Sequence, residues 1–264
     1  MHIPQFRKRT RSAGEVSQAI DLLPGDPAIV AAKLSLHSPL GPVEVEALKG
    51  FLGRPQAFAD RAVIAQAGDR ADMVTVLGRG LACRMTVLPN GRRQIQSLLL
   101  PGDIVDAEAS LLLRRSDNIE ALTVCSAWLA PKSRLAALPA AAPLLAEAFA
   151  REAAINAEIA RQWVVNIGGR SARERVAHFL CELTRRMDAL GLAVRGYYPL
   201  PLTQQDIGDA VALSAVHVNR ILQALRSEGL IQTSSRALKI LDAERLCDVA
   251  AFDDTYLHLQ ADRA

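Results

Sequence analysis

The sequence predicts an α+β chain: a barrel or sandwich of about eight short strands, then one long helix, then a helix-turn-helix with a hairpin wing. Three observations carry that expectation. From about residue 37 to 138, short apolar runs alternate with Gly, Pro, Asn and Asp turns at spacings of roughly 10–12 residues. After Pro143, as far as Ile167, there is no Gly or Pro, and apolar residues recur at helical spacing. Beyond Gly168-Gly169 the pattern becomes a series of capped amphipathic helices.

Composition bounds the reading. The 264 residues are 50% hydrophobic and 22% charged, which suits one large or two ordinary globular domains and excludes disorder over the whole length. Aromatics are only 4%, so aliphatic side chains fill the core. No apolar run of membrane-spanning length and no apolar signal core at Met1–Arg9 is present. Cys83, Cys125, Cys181 and Cys247 lie too far apart for local metal-ligand spacing, and a reduced, cytoplasmic chain is the simplest reading. The net charge of +3 is too small to argue for nucleic acid by itself. Its distribution is uneven. Residues 169–246 hold eleven basic against eight acidic side chains, whereas residues 247–264 hold one arginine against four aspartates.

Residues 1–36 read as a poorly ordered leader with one short helix at Ile29–Leu36, and the basic run Arg7–Arg11 reads as solvated. In the strand-rich region, Met73–Leu77, Leu81–Val87 and Gln94–Leu99 are the strand candidates, and Asn90-Gly91 between two of them signals a hairpin. The long helix carries a stripe of Leu144, Leu145, Ala148, Ile155, Ile159, Trp163 and Ile167. At about 36 Å it is too long to lie wholly on a small barrel, so it connects domains, pairs with a second copy, or acts as an intramolecular cover. Ser171–Glu174 has capping-box spacing before a helix with Val176, Leu180, Leu183, Met187 and Leu190 on one face, closed by Gly191. Tyr197–Leu202, with two prolines, reads as an edge strand or loop.

Thr203–Asp206 opens another helix with the same capping logic. After a break at Ala212-Leu213, Ser214 starts the next, with Val218, Ile221, Leu222 and Leu225 buried and Gly229 as the left-handed stop. Leu230–Thr233 and Ala237–Leu241 flank a Ser234-Ser235 turn and form the wing. The outward face of the second helix is Ala215, Val216, His217, Asn219, Arg220 and Gln223, with no acid before Glu228. Arg and Asn hydrogen-bond guanine and adenine edges bidentately in the major groove, and an acid-free face tolerates the phosphate field. The competing reading is a helical hairpin that packs on another protein.

Residues 200–241 resemble the winged helix-turn-helix of the Crp–Fnr transcription regulators, and Ser171–Ala177 resembles that family's opening helix. Gly91–Ile95 and Leu100–Ile104 resemble its cyclic-nucleotide-binding-type β-roll. The resemblance spans about 37–245. It implies a jelly-roll-like β-roll sensor domain at 37–140, a dimerisation helix at 141–168, a DNA-binding domain at 169–246 and a tail at 247–264. It further implies a homodimer that reads double-stranded DNA with one recognition helix (215–228) per half-site, and RNA polymerase as a partner of any activator. The family's base-contacting places fall on Val216, Asn219 and Arg220, and its phosphate-contacting places on Thr203, Gln205, Ser214, His217, Ser234 and Arg236. The dimer helix would use Leu145, Ile155, Ile159 and Trp163.

Two departures matter. Val216 stands where the family commonly has glutamate, which removes an acceptor for cytosine and offers an apolar group to a thymine methyl. Ala212 stands where the turn normally has Gly. His217 reads as a phosphate or structural residue ahead of a pH switch.

The expected effector pocket comprises Asp106, Glu108, Arg115 and Ser116. The family's Gly-Glu-Leu element is missing after Pro101-Gly102-Asp103, and Asp106 and Glu108 put negative charge where a phosphate would sit. Arg114-Arg115-Ser116 is a phosphate clamp or a solvated loop. These features argue against a cyclic nucleotide. No clustered N-terminal cysteines suggest an iron–sulfur cluster, no histidine pair suggests haem or another metal, and Cys83 and Cys125 read as buried structural thiols. The cofactor is therefore left unknown, and the roll could be an empty scaffold. No catalytic motif is present, so the chain is not read as an enzyme. The alternative to a transcription regulator is an effector-binding signalling module that acts through protein contacts, with DNA binding vestigial.

Overall fold

The computed structural model describes residues 26–107, 112–194, 196–234 and 236–259. Its described residues fall into two units, one of residues up to Gly168 together with 254–259, the other of Gly169–Asp253.

The first unit is a two-sheet β-roll with helices at both chain ends. Eight strands form it, as the turn spacing predicts: β1 (Gln56–Phe58), β2 (Val63–Ala65), β3 (Met73–Arg79), β4 (Ala82–Val87), β5 (Arg93–Leu99), β6 (Ile104–Val105), β7 (Asn118–Ala121) and β8 (Cys125–Pro131). They pair antiparallel in the orders β1-β8-β3-β6 and β2-β7-β4-β5. The predicted hairpin joins β4 to β5, with Ala82 opposite Leu99 and Val87 opposite Arg93. Gly91 holds its left-handed turn at φ 79°. Between the sheets lies an aliphatic core of Leu77, Ala82, Leu99, Val105, Ile119, Ala121 and Ala127, which also buries Cys125.

A second core lies under the helices. Helix α1 (Pro27–Leu34) contributes Val30 and Leu34, and α2 (Pro42–Leu52) contributes Leu48, Phe51 and Leu52. After α3 (Lys132–Ala141), the long helix α4 (Pro143–Gly169) adds Leu145, Ala148 and Phe149. Phe51 and Phe149 meet edge to face at 4.9 Å. Buried polar contacts fasten α1 to α4: Lys33 Nζ lies 3.4 Å from Glu152 Oε1, and His37 Nε2 lies 2.8 Å from Glu152 Oε2.

These contacts correct the expected leader. Its described portion, from Asp26, belongs to the folded unit rather than preceding it, because Val30 and Leu34 supply core that the strands alone do not. A helix of eight residues shows too little periodicity to reveal that burial in sequence. The rest of the expected leader lies outside the described residues.

The second unit is built from α5 (Ala172–Ala189), β9 (Tyr198–Pro199), α6 (Gln204–Val211), α7 (Ala215–Ser227), β10 (Ile231–Ser234), β11 (Ala237–Ile240) and α8 (Ala243–Ala250). The order β10-β11-β9 makes Tyr198-Pro199 an edge strand, where proline's missing donor does no harm. The expected tail boundary is corrected here, since α8 runs past residue 246 and Phe252 packs on the ring of His178 at 5.2 Å. Burial pushes the His178 imidazole down to about 4. Further on, Tyr256 and Leu257 are buried and group with the roll unit.

Candidate nucleic-acid interface

Each helix of the second unit starts at a side-chain cap, which fixes where its free face points. Ser171 caps α5, its backbone N–H donating to Glu174 Oε2 at 2.6 Å. Thr203 caps α6 through a reciprocal pair: Asp206 N–H donates to Thr203 Oγ1 at 3.0 Å, and Thr203 N–H donates to Asp206 Oδ2 at 2.9 Å. Ser214 Oγ accepts from the His217 N–H at 3.2 Å and starts α7.

The turn between α6 and α7 is tight. Ala212 takes the left-handed conformation (φ 55°), and Leu213 N–H donates to Gly208 O at 2.9 Å. A Cβ on Gly208 would lie 2.5 Å from Leu213 O, so the closeness of the turn depends on that glycine. The residue that adapts is therefore Ala212, and the one that cannot change is Gly208. Sequence reasoning singled out only the former, because a close approach between residues five apart leaves no local signal.

Helix α7 buries Val218, Ile221, Leu222 and Leu225, as its spacing predicts. Of the expected base-contacting residues, Val216 and Arg220 are exposed and Asn219 is half-buried. All six expected phosphate-contacting residues, Thr203, Gln205, Ser214, His217, Ser234 and Arg236, are exposed. Thr203 and Ser214 are simultaneously caps, which orients their hydroxyls at helix starts where backbone N–H groups also favour anions. Gln205 Nε2 donates to Asp209 Oδ1 at 2.6 Å.

Contacts that sequence reasoning missed fasten the recognition helix from behind. Arg226 Nη1 donates to Thr233 Oγ1 at 2.7 Å and so ties α7 to the wing. Arg173 grips Glu228 with both guanidinium amines, at 2.6 and 2.5 Å. Hydrogen bonding to Arg173 lowers the Glu228 carboxyl below its usual range. The first acid after the acid-free face is thus turned toward a cation on the opening helix.

The expected pocket of the roll is only partly assembled. Asp106 and Arg115 meet in a direct ion pair and are both buried. Ser116 is exposed, because inward and outward positions alternate on the approach to β7 and Arg115 and Asp117 take the inward ones. Glu108 lies outside the described residues. Two members were missed: Arg84 lies 2.6 Å from Asp106, and Asp117 lies 2.7 Å from Arg115. The available signal was a lone arginine within the apolar run Leu81–Val87.

On α4, Leu145, Ile155, Ile159 and Trp163 are all buried, so the stripe expected at a dimer seam is already covered within this chain. Leu144, expected in that stripe, is 50% exposed. The opposite face is exposed and mostly apolar: Ala150, Ala154, Ala157, Val164, Val165 and Gly168, interrupted by Glu147 and Arg161 and bordered by Arg151. The helix has two apolar faces, and periodicity marks the bulkier one without saying what covers it.

Two short helices across a tight turn, the second with an exposed face and followed by a hairpin, define a winged helix-turn-helix, a class that reads the major groove of DNA. Comparison with known proteins agrees. A Crp-like helix-turn-helix domain model matches residues 174–249, and a cyclic nucleotide-binding domain model matches residues 55–141. The chain is 30% identical over 219 residues to the transcriptional activatory protein AadR of Rhodopseudomonas palustris, covering 83% of this chain and 90% of that protein. It is 31% identical over 196 residues to the nitrogen fixation regulation protein FixK of Azorhizobium caulinodans, covering 74% and 78%. The solved structure of FixK2 from Bradyrhizobium japonicum matches with a TM-score of 0.69 at 27% identity, covering 76% of this chain and 98% of that one. The chain belongs to the Crp–Fnr family of transcription regulators. Among the described residues no helix is long and apolar enough to cross a membrane, and no group of three potential ligands is placed to hold a metal ion.

Proposed function

We propose that this regulator acts in the cytoplasm as a homodimer and reads a two-fold symmetric operator, one α7 helix per half-site, with half-sites about one helical turn apart. The observation that carries this reading is the acid-free exposed face of α7, on which Val216 and Arg220 stand clear of the protein. Arg220 reads a guanine through its two-pronged guanidinium, Asn219 reaches an adjacent base edge, and Val216 packs on a thymine methyl. Thr203, Gln205, Ser214, His217, Ser234 and Arg236 position the domain on phosphates and carry no sequence information. If it activates transcription, RNA polymerase is the second partner.

The dimer forms through the exposed Ala150, Ala154, Ala157, Val164, Val165 and Gly168 face of α4, whose small side chains let two helix backbones approach closely. This face replaces the Leu145, Ile155, Ile159 and Trp163 seam as the proposed interface.

Selection of bound DNA from a random pool tests the reading. A palindromic site lacking the cytosine that glutamate would read at the Val216 position supports it. Recovery of no sequence above background, with binding insensitive to salt, overturns it in favour of a protein-contact module.

A further inference from the structure

Inside the roll, four charged side chains close a ring. Asp106 gives one carboxylate oxygen to Arg84 Nη2 at 2.6 Å and the other to Arg115 Nη1. Asp117 completes the circuit, with Oδ2 at 3.2 Å from Arg84 Nε and Oδ1 at 2.7 Å from Arg115 Nη2. Asp106 is 2% exposed and Arg115 and Asp117 are each 9% exposed, so three members of the ring are buried while the Arg84 side chain reaches toward solvent. Two converging guanidiniums in such a place form a clamp for an oxyanion.

Three features bear on the part Asp106 plays in the clamp. Its backbone lies in the left-handed region at φ 72°, a conformation that Asp enters more readily than most residues with a Cβ. Its two oxygens go to two different arginines, spanning the clamp from one side as Asp117 does from the other. The buried Arg115 Nε finds no hydrogen-bond partner among the described residues, so the carboxylate leaves one donor of the clamp unused. A tetrahedral phosphate presents more acceptor oxygens than a flat carboxylate does. Burial pushes the Asp106 carboxyl up, and the two arginines oppose that push.

The clamp also touches the element that leads out of the roll. Asp106 directly follows β6, where Ile104 O accepts from Asn156 Nδ2 of α4 at 3.2 Å. Asp103, just before β6, lies 3.4 Å from Lys33 Nζ, which also reaches Glu152 of α4 at 3.4 Å. Whatever anion fills the clamp therefore fixes a short segment that is bonded to the long helix on its other side.

We propose that Asp106 is a built-in ligand: its carboxylate occupies an oxyanion clamp made by Arg84 and Arg115, and holds the roll in an occupied state without an external phosphate-bearing effector. Removing that carboxylate opens a latent site for a phosphate monoester or diester. The full-length protein is titrated calorimetrically with 3′,5′-cyclic AMP, 3′,5′-cyclic GMP and inorganic phosphate, as native chain, Asp106→Gly, Asp106→Asn and Asp106→Gly/Arg115→Met. The native chain shows no binding up to about 1 mM, and its affinity for the selected operator changes less than about twofold with cyclic nucleotide. Asp106→Gly binds at least one of the three probes at least about tenfold more tightly than the native chain, and Arg115→Met removes the gain. Asp106→Asn keeps the side-chain size and answers the same question if the glycine variant fails to fold. Sub-millimolar binding of a cyclic nucleotide by the native chain that depends on Arg115 overturns the proposal. So does a folded Asp106→Gly and Asp106→Asn pair that binds none of the three probes. If neither variant folds, the native titration alone decides.

Discussion

Arg173, in the first turn of α5, holds Glu228, at the C-terminus of the recognition helix, through two parallel hydrogen bonds of 2.6 and 2.5 Å. The pair joins residues 55 apart in sequence and sets the end of α7 against the opening helix. It also turns the first acid after the recognition face toward a cation. Both side chains are partly exposed, so the bond is open to screening by salt. Glu228→Gln lowers the melting temperature at low salt and loses the difference at high salt. A charge-reversed pair, Arg173→Glu with Glu228→Arg, recovers part of the loss. A calorimetric melt at two ionic strengths checks both, and equal melting of native and Glu228→Gln at low salt shows that the pair adds nothing.

His178 makes stability depend on pH. Its folded-state value is pushed down to about 4 by burial, from 6.5. The unfolded chain therefore takes up a proton between those values while the folded chain does not. Its full contribution is present above about pH 6.5 and is lost as the pH falls toward 4, by at most about 3 kcal/mol. His178→Phe flattens the curve between pH 7 and 4 in chemical denaturation, and an unchanged slope would count against a buried neutral imidazole.

Gly208→Ala places a Cβ 2.5 Å from Leu213 O, within the tight turn. The turn has to open, which destabilises the domain by about 1–3 kcal/mol and moves α7 relative to α6. Both the denaturation midpoint and operator affinity fall. Full affinity with a lower midpoint would mean that the turn relaxes without displacing the recognition helix.

Arg220→Ala loses about 1–3 kcal/mol on the selected operator and relaxes discrimination at one base pair. Val216→Glu shifts preference toward cytosine at its position. Fluorescence anisotropy on single-base variants of the operator separates these effects from uniform weakening, which would mark Arg220 as a phosphate contact.

The two faces of α4 respond oppositely to charge. Ala157→Asp, on the exposed face, gives a folded monomer by light scattering. Ile159→Asp buries an unpaired charge and destabilises the roll unit by several kcal/mol. A dimer that survives Ala157→Asp would place the interface elsewhere.

The sequence by itself determined the features that local chemistry writes. The Ser171, Thr203 and Ser214 caps, the Asn90-Gly91 hairpin, the eight-strand spacing and the acid-free face of α7 all depend on residues within a few positions of one another. The tertiary structure decided the rest. It chose which apolar face of α4 turns inward, because both faces satisfy the same period and only burial in the folded chain distinguishes Ile159 from Ala157. It drew α1 into the core, where Lys33 and His37 converge on Glu152 more than a hundred residues away. It also closed the ring of Asp106 and Asp117 with Arg84 and Arg115, turning separate acidic and basic signals into one charge-balanced, largely buried cluster. The physical reason is the same in each case: burial and ion pairing join positions that the folded backbone brings together, and no spacing along the chain records them.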